Sequence, residues 1–113
     1  MGMGQAIDSA SIIGKSIKIG KLVVAQYDFP DKMNWKEAKA TCASLGKGWR
    51  LPTRVELNTL YQKRAKIGGF AKYYYWSSTE DDLNGAWFQD FNDGFQFDAT
   101  VSSPVYVRAI RAF

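Results

Sequence analysis

Few of the side chains that carry out acid–base, nucleophilic or metal chemistry occur in this sequence of 113 residues. It has no histidine and a single cysteine, Cys42. Because zinc and copper sites are built mainly from histidine and cysteine ligands, no transition-metal site is expected. Cys42 lies on an apolar helical stripe without a histidine to activate its thiol, so we interpret it as a small core residue. The sequence therefore predicts no catalytic residue, no metal, no cofactor and no enzyme activity.

The acidic residues are concentrated in one segment of the chain. Between Tyr73 and Val107 there are six carboxylates and no Lys or Arg, whereas the net charge of the whole chain is +4. No pair of these carboxylates sits in an evident apolar pocket, so we interpret them as parts of solvated loops and turns. The Lys and Arg residues elsewhere are scattered without a recognition motif, and nucleic acid is therefore not expected as a partner.

The aromatic residues of the same segment indicate binding rather than catalysis. Residues 86–99 form two alternating runs around Asp93-Gly94, which predicts a β-hairpin with a two-residue turn. One face then carries the pairs Asn92 with Phe95, Asp90 with Phe97 and Phe88 with Ala99. The other face carries the pairs Phe91 with Gln96, Gln89 with Asp98 and Trp87 with Thr100. Both faces contain aromatic rings, so one of them either binds a ligand or forms a second small core under a loop.

Two capped helices and an early hairpin are the elements that would position this surface. Asn34 with Glu37 and Thr53 with Glu56 have the spacing of capping boxes, each at the start of an apolar helical stripe. The predicted buried stripe of the first helix is Trp35, Ala38, Cys42 and Leu45. That of the second helix is Leu57, Leu60, Tyr61 and the aliphatic stem of Arg64. An early hairpin turns at Gly20, and its second strand, residues 22–27, is expected to pair with the terminal strand, residues 105–113. This order predicts an α+β domain with helices on one side of antiparallel strands.

The length of the chain suits one domain and is too short for two. We expect residues 1–12 to be a flexible N-terminal segment and residues 13–113 to be a single domain. No stretch approaches the roughly 18 apolar residues of a membrane-spanning helix. The N-terminus lacks the basic and apolar layout of a signal peptide, so none is expected.

Several motifs occur together along the chain and in a characteristic order. They are Trp49-Arg-Leu-Pro-Thr53 followed by Glu56, Gly68-Gly-Phe70, Tyr75-Trp-Ser-Ser-Thr-Glu80, Ala86-Trp87, Phe91, Gly94 and Val107-Arg-Ala-Ile-Arg-Ala-Phe113. In these the chain resembles bacterial and phage C-type lectin-fold domains, in the branch related to formylglycine-generating enzymes. That branch includes the variable proteins of diversity-generating retroelements. The resemblance spans about Ile13 to Phe113 and implies a C-type lectin-like fold with paired terminal strands, two short helices and a C-terminal hairpin that displays the ligand-binding surface.

The resemblance also implies which residues bind the ligand. Trp87, Phe91 and Gly94 match the fixed scaffold of the family, while alternating hairpin positions match those that vary through adenine-directed mutation. The predicted ligand-binding residues are Tyr73, Tyr75, Asp82, Asn84, Phe88, Asp90, Asn92, Phe95, Phe97 and Ala99. Six of them lie on one face of the hairpin in the register derived above without the resemblance.

The chain departs from the metal-dependent relatives of this fold. Formylglycine-generating relatives hold copper with a pair of cysteines, and only Cys42 is present here. Calcium-dependent lectins use Glu-Pro-Asn or Gln-Pro-Asp loops, and neither occurs. Asn92 and Asp93 are similar to a further pair of calcium ligands but are explained better by the turn. No metal-dependent activity is therefore expected.

The resemblance implies a non-enzymatic ligand-binding module with a hypervariable face that recognises a protein or another cell-surface macromolecule. Such domains serve in phage receptor binding and as adhesins, so the expected setting is a virion surface or the C-terminal part of a surface-displayed protein. One alternative is a glycan-binding adhesin domain, in which Tyr and Phe stack on sugar rings. The other is a degenerate or unrecognised enzyme, since a fold does not fix a function. The oligomeric state is left open.

Overall fold

The structure is a computed structural model that describes residues 9–81 and 84–113. Its elements in chain order are α1 (Ser9–Ile13), β1 (Ile17–Ile19), β2 (Leu22–Val24), α2 (Trp35–Ser44), α3 (Arg54–Gln62), α4 (Arg64–Ile67), β3 (Tyr74–Glu80), β4 (Gly85–Asp90), β5 (Gln96–Thr100) and β6 (Ile110–Ala112). The strands form two antiparallel sheets, in the orders β1-β2-β6 and β3-β4-β5. The predicted α+β class is therefore confirmed. The longest of these helices, α2, has ten residues, and no described helix has the length and hydropathy of a membrane span.

The two ends of the domain meet in the first sheet, as the sequence predicts. Gly20 has a φ of +58° at the turn between β1 and β2, a conformation that glycine adopts without steric cost. Strand β2 pairs with β6, Leu22 lying opposite Ala112. Beyond the regular strands the pairing continues, because the Ala25 N–H donates to the Ala109 carbonyl at 3.0 Å.

The segment before β6 connects the two sheets. The Trp76 N–H donates to the Tyr106 carbonyl, and the Tyr106 N–H donates to the Tyr74 carbonyl, both at 3.1 Å. Ile110 exchanges two backbone hydrogen bonds with Arg50, at 2.8 and 2.9 Å. The terminal segment thus lies between β2 on one side and β3 on the other, which explains why the sequence around it is apolar on both faces.

Both predicted capping boxes are present. The Glu37 N–H donates to Asn34 Oδ1 at 2.9 Å, and the Glu56 N–H donates to Thr53 Oγ1 at 3.2 Å. Arg50 also donates two hydrogen bonds to Glu56, at 2.7 and 3.0 Å, and these lower the pKa of the Glu56 carboxyl. The buried residues of the two helices are Trp35, Ala38 and Cys42 in α2, and Leu57 and Leu60 in α3.

Two hydrophobic cores hold the helices against the sheets. The first core includes Ala38, Cys42, Trp76, Ala86 and Val107. The second core includes Leu57, Leu60, Tyr75, Phe91 and Ile110. Successive residues of β3 therefore enter different cores, since neighbouring side chains of a strand point to opposite faces.

Helix α1 lies partly within the segment 1–12 that was expected to be flexible. Ile13 at its end is buried, and its carbonyl accepts the Gln26 N–H at 2.6 Å. Residues 1–8 lie outside the described residues.

The predicted register of the C-terminal hairpin is wrong by two residues. Phe88 pairs with Phe97, and Gln89 pairs with Gln96. Residues 91–94 form the loop, in which the Gly94 N–H donates to the Asp90 carbonyl at 2.7 Å. The predicted two-residue turn does not form, because Phe91 lies outside the strand and its ring packs in the second core. A shift of two residues leaves the side chains of β4 and β5 on their predicted faces, whereas Asn92 is part of the loop.

Phe91 and Trp87, the two aromatic residues that match the scaffold of the family, differ in burial. Phe91 is 2% exposed and packs on the rings of Tyr61, Phe70 and Tyr75. Trp87 is only half-buried, and the Arg54 guanidinium lies 3.6 Å from the centre of its ring.

Truncation of Phe91 to Ala is expected to lower the free energy of unfolding by about 3–5 kcal/mol, because it removes a buried ring from a packed aromatic cluster. The matched control is Phe95→Ala in the same hairpin, where the ring is 64% exposed. The control should change stability by no more than about 0.5 kcal/mol. Urea titration followed by tryptophan fluorescence measures both, and equal losses would contradict the packing described here.

Candidate ligand-binding surface

Four aromatic side chains of the second sheet are linked by ring contacts: Tyr74, Phe88, Phe95 and Phe97. Tyr73 precedes β3 and lines a cleft together with Tyr74, and the five side chains are hereafter the aromatic surface. Tyr73 and Phe95 are 57% and 64% exposed, and Tyr74 and Phe97 are each 46% exposed. Phe88 is half-buried at the centre, with ring centroids 4.9 Å from Tyr74 and 5.8 Å from Phe97. Phe95 lies 6.3 Å from Phe97, so the rings are neighbours rather than scattered side chains.

Strand pairing positions these rings. Trp76 pairs with Phe88 between β3 and β4, and Phe88 pairs with Phe97 between β4 and β5, so the three rings share one face. At Trp76 this face is part of the first core together with Ala38 of α2. Phe88 lies at the margin of that core, and Phe97 lies beyond it. Tyr74, Phe88 and Phe97 thus lie on the part of the core-facing side that is not fully covered.

The opposite face of the hairpin packs on α3 through hydrogen-bonded polar groups. Gln89 is fully buried, and its Nε2 donates to Asn58 Oδ1 and to the Gly94 carbonyl, both at 2.9 Å. Gln96 donates to the Arg54 carbonyl at 2.7 Å, and its Oε1 accepts from the Arg54 guanidinium at 3.1 and 3.2 Å. Because buried Gln89 needs these partners and half-buried Gln96 is bonded to Arg54, this face is held by the scaffold.

The structure brings most of the predicted hairpin residues to one region. Asp90 and Ala99 are half-buried on the face that carries Phe88 and Phe97. Asn92 is exposed in the loop of the hairpin. Asp90 and Ala99 thus lie on the predicted face, whereas Asn92 lies with Phe91 at a cavity apart from that face. The role of all three residues in binding stays a prediction.

The two predicted ligand-binding residues between β3 and β4 in the sequence are Asp82 and Asn84. Asn84 is exposed at the other end of the hairpin, in a left-handed conformation with φ of +66°, beside Lys36 and Lys39 of α2. Asp82 lies outside the described residues.

The prediction that Tyr75 contributes to the exposed surface is wrong. Tyr75 is fully buried, and its hydroxyl donates to Asp28 Oδ2 at 2.6 Å while accepting the Ala71 N–H at 2.8 Å. Burial raises the pKa of Tyr75, and the hydrogen bond to Asp28 adds to the effect. The side chain points into the second core because it alternates with Tyr74 and Trp76 along β3.

A cleft beside the aromatic surface contains residues that sequence reasoning missed. It has a volume of about 230 Å³ and is lined by Tyr73, Tyr74, Tyr106, Pro104 and Lys32, together with Val105. The rings of Tyr73 and Tyr106 stack with centroids 5.8 Å apart, and Lys32 Nζ lies 5.2 Å from the Tyr106 centroid. Because side chains alternate along a strand, Tyr74 could have been predicted to share the face of Trp76. No local pattern in the sequence indicates that Lys32 or Tyr106 lines the cleft.

The carboxylates of the region do not form an apparent metal site. Within residues 9–81 and 84–113 there is no group of three or more His, Cys, Asp or Glu residues that could hold a metal ion. Asp98 is exposed, and a side-chain hydrogen bond with Asp81 raises the pKa of its carboxyl. The described part of this surface presents aromatic ring faces, amides and carboxylates, which can stack on a ligand or form hydrogen bonds with it.

The thiol of Cys42 is expected to be unreactive in the folded protein. Cys42 is fully buried in α2, and this burial raises the pKa of its thiol from 9.0 to about 12. At pH 8 the reactive thiolate is therefore almost absent. Titration with a chromogenic disulfide should show no reaction in buffer and one thiol per chain in denaturant; rapid reaction in buffer would contradict this.

Comparison with known proteins gives one family and several structural neighbours. Residues 15–111 match the family model of the Lcl C-terminal domain. EMS16, described as an antagonist of the collagen receptor integrin α2β1, has a TM-score of 0.68 and 13% identity, covering 87% of this chain and 97% of that chain. Comparison with curated proteins gives no significant match.

Botrocetin gives a second likeness. A chain from its complex with a mutant von Willebrand factor A1 domain has a TM-score of 0.65 and 9% identity, covering 88% of this chain and 98% of that one. Botrocetin alone has a TM-score of 0.65 and 11% identity, with coverages of 88% and 96%. At these identities the likeness concerns the fold, which is C-type lectin-like as predicted.

Proposed function

Because the chain belongs to the Lcl C-terminal domain family and has a C-type lectin-like fold, we propose that it is a non-enzymatic binding module whose ligand contacts the aromatic surface. The ligand in this proposal is a protein or another macromolecule exposed on a cell surface. The observation that carries the proposal is the run of neighbouring rings from Tyr74 through Phe88 and Phe97 to Phe95 on a three-stranded antiparallel sheet. A contiguous apolar patch of this kind is typical of an interaction site.

The chemistry of the patch suits macromolecular recognition. Aromatic side chains give a large contact area and lose few rotamers on binding. Phe88 is held by Tyr74, Trp76 and Phe97, so it is preorganised as a central anchor. Half-buried Asp90 lies beside these rings and supplies a polar group at the margin. An apolar centre with a polar rim is the usual anatomy of an interface.

In this proposal, the exposed positions of the aromatic surface are the ones that vary in amino-acid type. Phe95 and Phe97 are exposed, and their ring contacts are with each other and with Phe88. The alternate positions Gln89 and Gln96 are tied to α3 by hydrogen bonds. Changes at the exposed positions therefore cost little folding energy, whereas changes at the tied positions leave buried polar groups without partners.

The structural neighbours favour a protein ligand. EMS16 is described as an antagonist of an integrin, and botrocetin is described in complex with a von Willebrand factor domain. Both descriptions name protein partners for this fold. They support a protein ligand here without specifying which one.

A glycan is the second candidate ligand, and the cleft favours it. The stacked rings of Tyr73 and Tyr106 form a platform of the kind on which the apolar face of a sugar packs. Lys32 lies beside these rings and can donate hydrogen bonds to hydroxyl or carboxylate groups.

The triple variant Tyr73→Ser, Phe95→Ser, Phe97→Ser is expected to lose binding without losing the fold. Fluorescently labelled domain is incubated with a panel of intact bacterial species, and binding is measured by flow cytometry. An aromatic anchor is worth about 2–4 kcal/mol, so affinity should fall at least about 30-fold. The melting temperature should stay within about 5 °C of the parent.

The matched control removes three exposed apolar side chains elsewhere, in Tyr27→Ser, Val55→Ser, Phe113→Ser. This control should bind like the parent. Protease treatment of the cells should abolish binding if the ligand is a protein, whereas periodate treatment should abolish it if the ligand is a glycan. Undiminished binding by the first variant, or equal losses in both, would refute the assignment of the face.

A further inference from the structure

A second concave region lies apart from the aromatic surface, between α4, the loop after it and the loop of the C-terminal hairpin. Its volume is about 380 Å³. Arg64 and Lys72 supply cations to its lining, Phe70 and Phe91 supply apolar surface, and Asn92 supplies an amide. None of the residues that line it is acidic. A cavity with this lining favours a ligand that combines a negative charge with an apolar group.

Next to this cavity lies a buried cation with a free donor. Arg108 is 1% exposed, and its Nε and Nη1 donate to Asp28, to the Ala25 carbonyl and to the Gly68 carbonyl, at 2.7, 3.0 and 3.3 Å. Its Nη2 has no partner. No other buried side-chain nitrogen or oxygen within residues 9–81 and 84–113 lacks a hydrogen-bond partner. A buried donor on a cation is costly to leave unpaired, so Nη2 favours an oxygen acceptor.

Two residues connect Nη2 with the cavity. The ring of Phe70, which lines the cavity, covers the Arg108 guanidinium at 4.0 Å. Gly69 also lines it, and a methyl group added to Gly69 would lie 3.3 Å from Nη2. The same methyl group would lie 3.3 Å from the Gln26 carbonyl, so Nη2 is buried directly behind Gly69 at this end of the cavity.

From this arrangement we propose that the cavity binds an oxyanion, a carboxylate or a phosphate, carried on a small apolar or aromatic group. Lys72 and the guanidinium of Arg64, whose Nη1 also donates to the Tyr61 carbonyl, donate to the oxyanion. The positive charge of Arg108, buried behind Phe70 and Gly69, adds to the attraction at that end. Charge-assisted hydrogen bonds of this kind are stronger than neutral ones. The rings of Phe70 and Phe91 contact the apolar part. The site is independent of the aromatic surface, so either assignment can fail while the other holds.

Benzoate and phenyl phosphate are the probes, and uncharged benzyl alcohol is the control ligand. Each is titrated into uniformly ¹⁵N-labelled protein at constant ionic strength, and the NMR signals are followed. The two anions should shift the amide signals of Gly69, Lys72 and Asn92 and the side-chain signal of Arg108. The tighter of the two anions identifies the preferred oxyanion. Absence of these shifts, or equal affinity for benzyl alcohol, would overturn the proposal.

The double variant Arg64→Gln, Lys72→Gln should weaken binding of the preferred anion about tenfold or more, because it removes two charged donors. The matched control is Lys63→Gln, Lys66→Gln, which removes the same charge from exposed positions beside the cavity that do not line it. The control should weaken binding less than about twofold, through the general field alone. Equal weakening by the two variants would reject a specific site, and both variants are first checked for unchanged amide spectra.

Discussion

The fold depends on a buried ion pair that joins its separate parts. The Arg108 side chain is fully buried, and its Nε lies 2.7 Å from Asp28, whose other oxygen accepts the Tyr75 hydroxyl. Arg108 also donates to the carbonyls of Ala25, which follows β2, and Gly68, which follows α4. Burial raises the pKa of Asp28 even though Arg108 acts in the opposite direction. Since a buried charge without its partner costs about 3–5 kcal/mol, this network fixes how the first sheet, the helices and the second sheet meet.

That fixed scaffold gives the second sheet two unlike faces. The face toward α3 is held by amide hydrogen bonds of Gln89 and Gln96, and it closes the second core with Phe91. The other face is covered at Trp76 and emerges into solvent at Phe97. Near the loop of the hairpin, the face toward α3 is therefore held by the scaffold, whereas the face of Phe97 is exposed.

Local chemistry in the sequence was enough to predict much of this architecture. Both capping boxes and the Gly20 turn depend on residues a few positions apart, and the paired termini follow from strands that are apolar on both faces. The register of the hairpin could not be read in this way, because the length of its loop is set by the burial of Phe91 among distant rings. Likewise, nothing within the run 73–75 reveals that Tyr75 bonds Asp28, a residue 47 positions earlier. Contacts between residues far apart in the sequence determine both the length of the hairpin loop and the burial of Tyr75.

The unequal roles of the two hairpin faces are tested most directly by comparing two randomised libraries. One library varies Tyr73, Tyr74, Phe95 and Phe97, and the other varies Arg54, Asn58, Gln89 and Gln96. Both are displayed on yeast, treated with protease and sequenced, so that the fraction of folded variants is measured for each. Most variants of the first library should survive, and few of the second should, because the second leaves buried polar groups unpaired. Equal survival of the two libraries, or poorer survival of the first, would contradict a binding face that is separate from the scaffold.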